Sequence, residues 1–138
     1  MKVYIVTGTT RGLGRAIVQA VRENGDVALS LSSAPDCDEP DRFNVQVDLS
    51  LIPDLPAKLD LVLQSAGVET ADELVMINNA GMLAPLMPLE HAPADRIKTA
   101  FAVNLTAPAV LMGHFIARTE ELTALRKIIN ISSGAATT

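Results

Sequence analysis

The sequence predicts an α/β fold built on a doubly wound parallel sheet. Short apolar runs alternate with helical patterns along the chain, and the first run breaks into a glycine-rich turn that leads straight into a helix. Composition agrees: 138 residues, 49% apolar and 20% charged, suit one domain with one core and exclude disorder or collagen-like repetition.

Val3 to Thr7 reads as a short buried strand and Gly8 to Gly14 as a turn. From Gly12 to Glu23 the apolar residues Leu13, Ile17, Val18 and Val21 share a helical face, and Asn24-Gly25 closes the helix because both residues tolerate a left-handed C-cap. Asp26 to Leu31 and Phe43 to Asp48 have the composition of strands buried on both faces. Ser32 to Asp41, with two prolines and no helical period, reads as a surface loop. A helix starts near Asp54 or Pro56, with Leu59, Val62, Leu63 and Ala66 on one face. Glu73 to Asn78 is the fourth strand, and Met82 to His91 a proline-punctuated loop. Ala92 to Arg118 is the longest helix, entered through Pro93, and Pro108 should make it irregular because its ring removes a hydrogen bond and crowds the preceding turn. Lys127 to Ser132 is the fifth strand. Such alternation calls for right-handed crossovers with helices on both faces, and ligands then sit at the carboxyl ends of the strands, where strand order reverses.

Eleven Lys and Arg against sixteen Asp and Glu give a net charge of -5, and the basic residues are scattered singly, so nucleic acid is not an expected partner. The uncharged run Thr99 to Ala117 is interrupted by Asn104, Thr106, Pro108 and His114, and no membrane span is expected from it. The N-terminus enters a strand pattern without a signal-peptide core, and the single cysteine, Cys37, forms no internal disulfide. A cytoplasmic, reducing setting is the expectation. Asp36 and Asp38 disfavour a Cys37 thiolate, and neither His91 nor His114 has a second ligand spaced for a metal.

The chemistry concentrates after the strands. Thr7-Gly8-Thr9-Thr10-Arg11-Gly12-Leu13-Gly14 supplies a turn without side chains in front of a helix N-terminus, which suits a pyrophosphate; plain tight packing is the other use of such glycines. Arg11 precedes the second glycine, and Ser32 and Ser33 stand where a carboxylate would hold a ribose diol. A 2′-phosphate welcomes the arginine and is repelled by a carboxylate, so the pattern favours NADP over NAD unless Arg11 is simply a solvated surface residue. Two uses are open to Asp48: accepting from an adenine that rests on Leu49, or capping the next turn. Ile77-Asn78-Asn79-Ala80-Gly81 pairs two amides with two small residues, which reads as backbone bracing and close approach to a cofactor, or as a simple turn.

Together with Asn104 in Val103-Asn104-Leu105-Thr106 and with Ile129-Asn130-Ile131-Ser132-Ser133, these motifs resemble the short-chain dehydrogenase/reductase superfamily over essentially the whole chain. Ile77 to Pro85 and Ile129 to Ala135 are similar to the group of benzil and sepiapterin reductases, NADPH-dependent reductases of dicarbonyls and pterin side-chain ketones. The resemblance implies the N-terminal, five-strand portion of a larger Rossmann-type domain. It implies NADP(H) held by Gly8, Thr10, Arg11, Gly12, Leu13, Gly14, Ser32, Ser33, Asp48, Leu49, Asn79, Ala80 and Gly81. Ser133 matches the serine that hydrogen-bonds the substrate carbonyl, and Asn104 the asparagine whose backbone carbonyl holds a water of the proton relay.

The family's tyrosine, about thirteen residues past the serine, and its lysine four further on would fall beyond Thr138; the sole tyrosine, Tyr4, lies in the first strand. The chain is therefore expected to be a C-terminally truncated piece, inactive alone, of an NADPH-dependent reductase of a small carbonyl substrate. The helix Ala92 to Arg118 is expected to leave an apolar face uncovered, through which the parent forms a homo-oligomer. The alternative is a non-catalytic NADP-binding or subunit-association module.

Overall fold

Strands with no polar side to signal a period should be covered on both faces, and the three central strands of the sheet are, while the two edge strands stay partly open. The structure, a computed structural model, describes residues 1–34, 44–65, 67–83 and 85–133. Five parallel strands, β1 (Lys2–Thr7), β2 (Val27–Ser32), β3 (Asn44–Gln46), β4 (Glu73–Asn78) and β5 (Leu125–Asn130), lie in the order β3-β2-β1-β4-β5. Val3, Ile5, Leu29, Leu31, Leu74 and Met76 point to one helical layer, made by α2 (Leu55–Leu63) and α4 (Ala107–Arg118). Val6, Ala28, Val75 and Ile77 point to the other, made by α1 (Gly12–Glu23). Full burial contributes about 1.5–3 kcal/mol for each large side chain, and Leu59, Leu111 and Phe115 sit where that contribution is greatest.

Several strand boundaries differ from the sequence reading, because pairing rather than local composition ends a strand. Asp26 precedes β2, and its carboxylate accepts from the Lys2 N–H at 2.9 Å. At the far end Ser32 belongs to β2, its carbonyl accepting from the Val47 N–H at 2.8 Å. β5 runs two residues earlier than expected because it pairs residue for residue with β4, Glu73 with Leu125 through Asn78 with Asn130. The β3 ladder covers only Asn44 to Gln46, which leaves Asp48 in the following turn. Phe43, Cys37, Ala66, Ala84, most of the loop after Ala34 and the run from Gly134 lie outside the described residues.

α1 buries Gly14, Val18 and Val21, while Leu13, expected on that face, is 56% exposed. The long helix starts at Ala94, two residues later than expected, as α3 (Ala94–Phe101); it passes through a π turn at Ala102–Thr106 and continues as α4. The turn explains how Pro108 is accommodated: the Ala107 N–H bonds five residues back to Ala102, widening the helix before a ring that would crowd the turn below. By length and composition Ala94–Arg118 could cross a membrane, against the sequence expectation, although a helix of a globular core meets the same test. Here Ala107, Leu111 and Phe115 pack into the core, while Phe101 and Leu105 remain 61% and 62% exposed, the uncovered apolar surface that was expected.

Candidate functional site

The strand order turns back between β1 and β4, and their carboxyl ends open a groove of about 420 Å³, within the size range of small-molecule sites. The β1–α1 turn contributes Gly8, Thr10, Arg11 and Gly12; the end of β2 contributes Ser32 and Ser33. Asp48 and Leu49 after β3, and Asn79, Ala80 and Gly81 after β4, complete most of the wall. Leu31, Val47 and Val103 also line it and were not anticipated. Four expected site residues, Leu13, Gly14, Asn104 and Ser133, do not line it.

The β1–α1 turn owes its shape to glycines with different jobs. Gly8 has φ +71°, and a Cβ there would stand 2.7 Å from the Ala80 Cα, so the turn lies directly against the chain leaving β4. Gly12 has φ +59° with nothing within 4 Å of a would-be Cβ, which leaves open space over the start of α1. Gly14 serves packing, the bland alternative: a Cβ would lie 2.1 Å from the Gly8 carbonyl oxygen. α1 begins without a side-chain cap or an acidic residue in its first turn, so among the described residues nothing caps its free N–H groups and positive end.

Thr7, whose part the sequence reading missed, ties the two strand ends together. Its buried Oγ1 accepts from the Asn79 and Ala80 N–H groups, each at 3.0 Å. Asn79 Nδ2 donates in return to the carbonyls of Thr7 at 3.1 Å and Gly8 at 3.0 Å. The bracing expected of the amide pair is therefore the work of Asn79. Asn78 donates from Nδ2 to Asn130 Oδ1 at 2.8 Å, linking β4 to β5, while its own Oδ1 is buried without a partner.

Asp48 adopts the capping use left open by the sequence, accepting at Oδ1 from the Ser50 hydroxyl at 2.6 Å and the Ser50 N–H at 2.9 Å. These bonds, the hydroxyl's first, hold its carboxyl below the usual 3.8, so it enters the groove wall as an anion at neutral pH. Ser32 lines the groove but is buried, and its hydroxyl donates to the Ala34 carbonyl at 2.7 Å. Ser33 and Arg11 are exposed at the groove, and among the described residues no carboxylate pairs with Arg11.

Asn104, expected to act through its backbone carbonyl, has an exposed side chain that spans to the segment after β4, accepting from the Met82 N–H and donating to the Met82 carbonyl, both at 2.8 Å. Ser133 lies three residues past β5, beyond the Ile131 N–H to Asn78 carbonyl bond of 3.0 Å that keeps this segment beside the end of β4. Tyr4 packs in the α1 layer, on the sheet and away from the groove. His114 Nε2 and Arg118 Nε each lie 2.9 Å from Asp60 Oδ1, linking α4 to α2 outside the groove. Among the described residues no group of three or more His, Cys, Asp or Glu could hold a metal.

A helix start that no described side chain caps, open space over Gly12, an Arg11 with no carboxylate partner among the described residues and an apolar wall at Leu49 fit the phosphates and adenine of a dinucleotide. Residues 2–138 match the family model of the short chain dehydrogenases. Two benzil reductases ((S)-benzoin forming) are similar: that of Bacillus cereus is 31% identical over 98% of this chain and 57% of its own length. That of Bacillus subtilis is 31% identical over 99% of this chain and 56% of its own length. The chain thus spans little more than half the length of these relatives. Among solved structures, 4-hydroxyisoleucine dehydrogenase complexed with NADH superimposes with a TM-score of 0.83 at 25% identity, over all of this chain and 58% of that one.

Proposed function

Since this chain belongs to the short-chain dehydrogenase family, we propose that it forms the nucleotide-binding part of an NADPH-dependent reductase of small ketones or diketones. The observation that carries the reading is the groove at the β1–β4 crossover, in which the start of α1 and Arg11 offer donors with no acceptor among the described residues. When bound, the dinucleotide would supply a hydride for the carbonyl carbon. The N–H groups at the start of α1 would take the pyrophosphate, with Gly12 leaving room for it. Leu49 would face the adenine, and Ala80 and Gly81 would let the nicotinamide end approach backbone. Ser133 would donate to the substrate carbonyl, and the backbone carbonyl of Asn104 would hold water. The proton donor for such a reduction is not among these residues, since the sole tyrosine is Tyr4 in β1.

NADP over NAD is supported by Arg11 and by the lack of a carboxylate at the end of β2, where Ser32 and Ser33 stand; the 4-hydroxyisoleucine dehydrogenase was solved with NADH, so this preference belongs to the residues of the present chain. One charge-assisted contact of about 1.5–3 kcal/mol corresponds to a preference of roughly tenfold to a hundredfold. The full-length protein is expected to oxidise NADPH in the presence of diketones, quinones or pterins, and Arg11→Ala to erase most of the preference. Failure with the whole panel overturns the reductase reading.

The exposed Phe101 and Leu105 on the long helix support a second element, association of the parent with another copy of itself through that helix. If nucleotide binds without any turnover, the non-catalytic binding module replaces the reductase; a strictly monomeric parent in light scattering refutes the association. A cytoplasmic setting belongs to the same reading, supported by a composition with one cysteine.

A further inference from the structure

The turn after β2 is stapled to β3 through every carbonyl it has among Ser32, Ser33 and Ala34. The Ser32 carbonyl accepts from the Val47 N–H at 2.8 Å. The Ser33 carbonyl accepts from Gln46 Nε2 at 3.1 Å. The Ala34 carbonyl accepts from the Ser32 hydroxyl at 2.7 Å and from Asn44 Nδ2 at 3.4 Å, and Asn44 Oδ1 stands 3.0 Å from the same hydroxyl. Two side chains of a three-residue strand, Asn44 and Gln46, thus join one backbone N–H in occupying the acceptors of the turn on the β3 side.

The consequence for a ligand is a matter of donors and acceptors. A ribose 2′,3′-diol brings two hydroxyl donors and is held by acceptors, while a 2′-phosphate brings only acceptors and is held by donors. Where the acceptors of the turn are engaged by β3, the side-chain donors that the groove keeps among the described residues are the Thr10 and Ser33 hydroxyls and the Arg11 guanidinium, beside one carboxylate, Asp48, whose Oδ1 is taken up by Ser50. We infer that Asn44 and Gln46 are positioning residues for cofactor choice: by holding the carbonyls of Ala34 and Ser33 against β3, they leave a donor-rich rim that selects a 2′-phosphorylated adenosine over an unphosphorylated one. The inference rests on the reading that the groove takes a dinucleotide, and adds to it two residues that do not touch the ligand.

Calorimetric titration of the full-length protein with NADP+ and NAD+ tests it, with Gln46→Met, Asn44→Leu and Ser33→Ala as variants and circular dichroism to verify folding. Gln46 is exposed, so its isosteric replacement removes the bond to Ser33 without touching the core. The wild type is expected to favour NADP+ at least tenfold. Gln46→Met and Asn44→Leu should each reduce the ratio of the two affinities about two- to tenfold, the range of one neutral hydrogen bond, and Ser33→Ala should weaken NADP+ alone. Equal losses for both nucleotides, leaving the ratio unchanged, would mean that Asn44 and Gln46 only support the fold, and the inference falls. Equal wild-type affinities overturn it while leaving the dinucleotide groove intact. A folded wild type that binds neither nucleotide removes the underlying reading as well.

Discussion

Alanine at Gly14 and at Gly113 sets helix propensity against packing in one molecule. Both glycines lie inside helices with ordinary helical backbone, so propensity alone favours alanine at each by about 1 kcal/mol. At Gly113, exposed on α4, a Cβ meets nothing within 4 Å, and the full gain should appear. At Gly14 the Cβ would lie 2.1 Å from the Gly8 oxygen and 2.5 Å from Asn79 Nδ2, more than an ångström inside ordinary contact with the former. Relief requires moving the Gly8 turn or giving up the Asn79 bond to it. Overpacking costs about 1–3 kcal/mol and the bond about 1 kcal/mol, so after the propensity gain Gly14→Ala should destabilise by about 1–3 kcal/mol. Urea unfolding with the slope monitored reads both variants: the midpoint should rise for Gly113→Ala and fall for Gly14→Ala. Because the displaced turn is the groove floor, Gly14→Ala should also weaken NADP+ and NAD+ together. A Gly14→Ala protein as stable as the wild type would refute the packing argument at its base.

Three further perturbations probe the bracing around the groove. Thr7→Val keeps the shape but orphans two N–H groups at the strand ends, and should cost about 2–4 kcal/mol in urea unfolding, with Thr7→Ser close to wild type; a neutral Thr7→Val would mean that Asn79 and Ala80 find other acceptors. Asn104→Leu removes both bonds to the Met82 backbone and should destabilise by about 1–2 kcal/mol, at the lower end because those groups can turn to water; an unchanged midpoint would show that the clasp contributes nothing. Asp60 is held below its usual 3.8 first by the hydrogen bond from His114, then by the charges of His114 and Arg118. A lowered carboxyl stabilises the fold above its unfolded value and loses that contribution as pH falls through the folded one, so the loss is confined to pH below about 4. Asp60→Asn should therefore flatten the acid limb of the stability curve, and an acid limb as steep as the wild type's would assign it to other carboxylates.

Particular residues show where the sequence was readable. Gly8, Gly12, Asp48 and the run Asn79 to Gly81 were legible because each is a local exception to strand or helix propensity at a strand end, and the parallel topology brings strand ends together. Leu13 misled because helical periodicity selects a face without saying which residue borders the sheet. Ser32 was legible at its strand end, but the approach of its hydroxyl to Asn44, twelve residues away, is a pairing no local pattern contains. Thr7 looked like one more strand residue, and only the neighbouring end of β4 gives its hydroxyl two donors.

By itself the sequence determined the kinds of elements, their chain order and the place of the chemistry after the strands, because propensity, apolar periodicity and glycine or proline conformations act over a few residues. Strand order, the ends of β3 and β5, the π turn that accommodates Pro108 and the tie of the Ser32 hydroxyl to Asn44 were decided only in the tertiary structure. Each depends on hydrogen-bond partners that become neighbours only when the sheet assembles. A strand ends where its partner ends, and a hydroxyl is free only if no distant acceptor claims it.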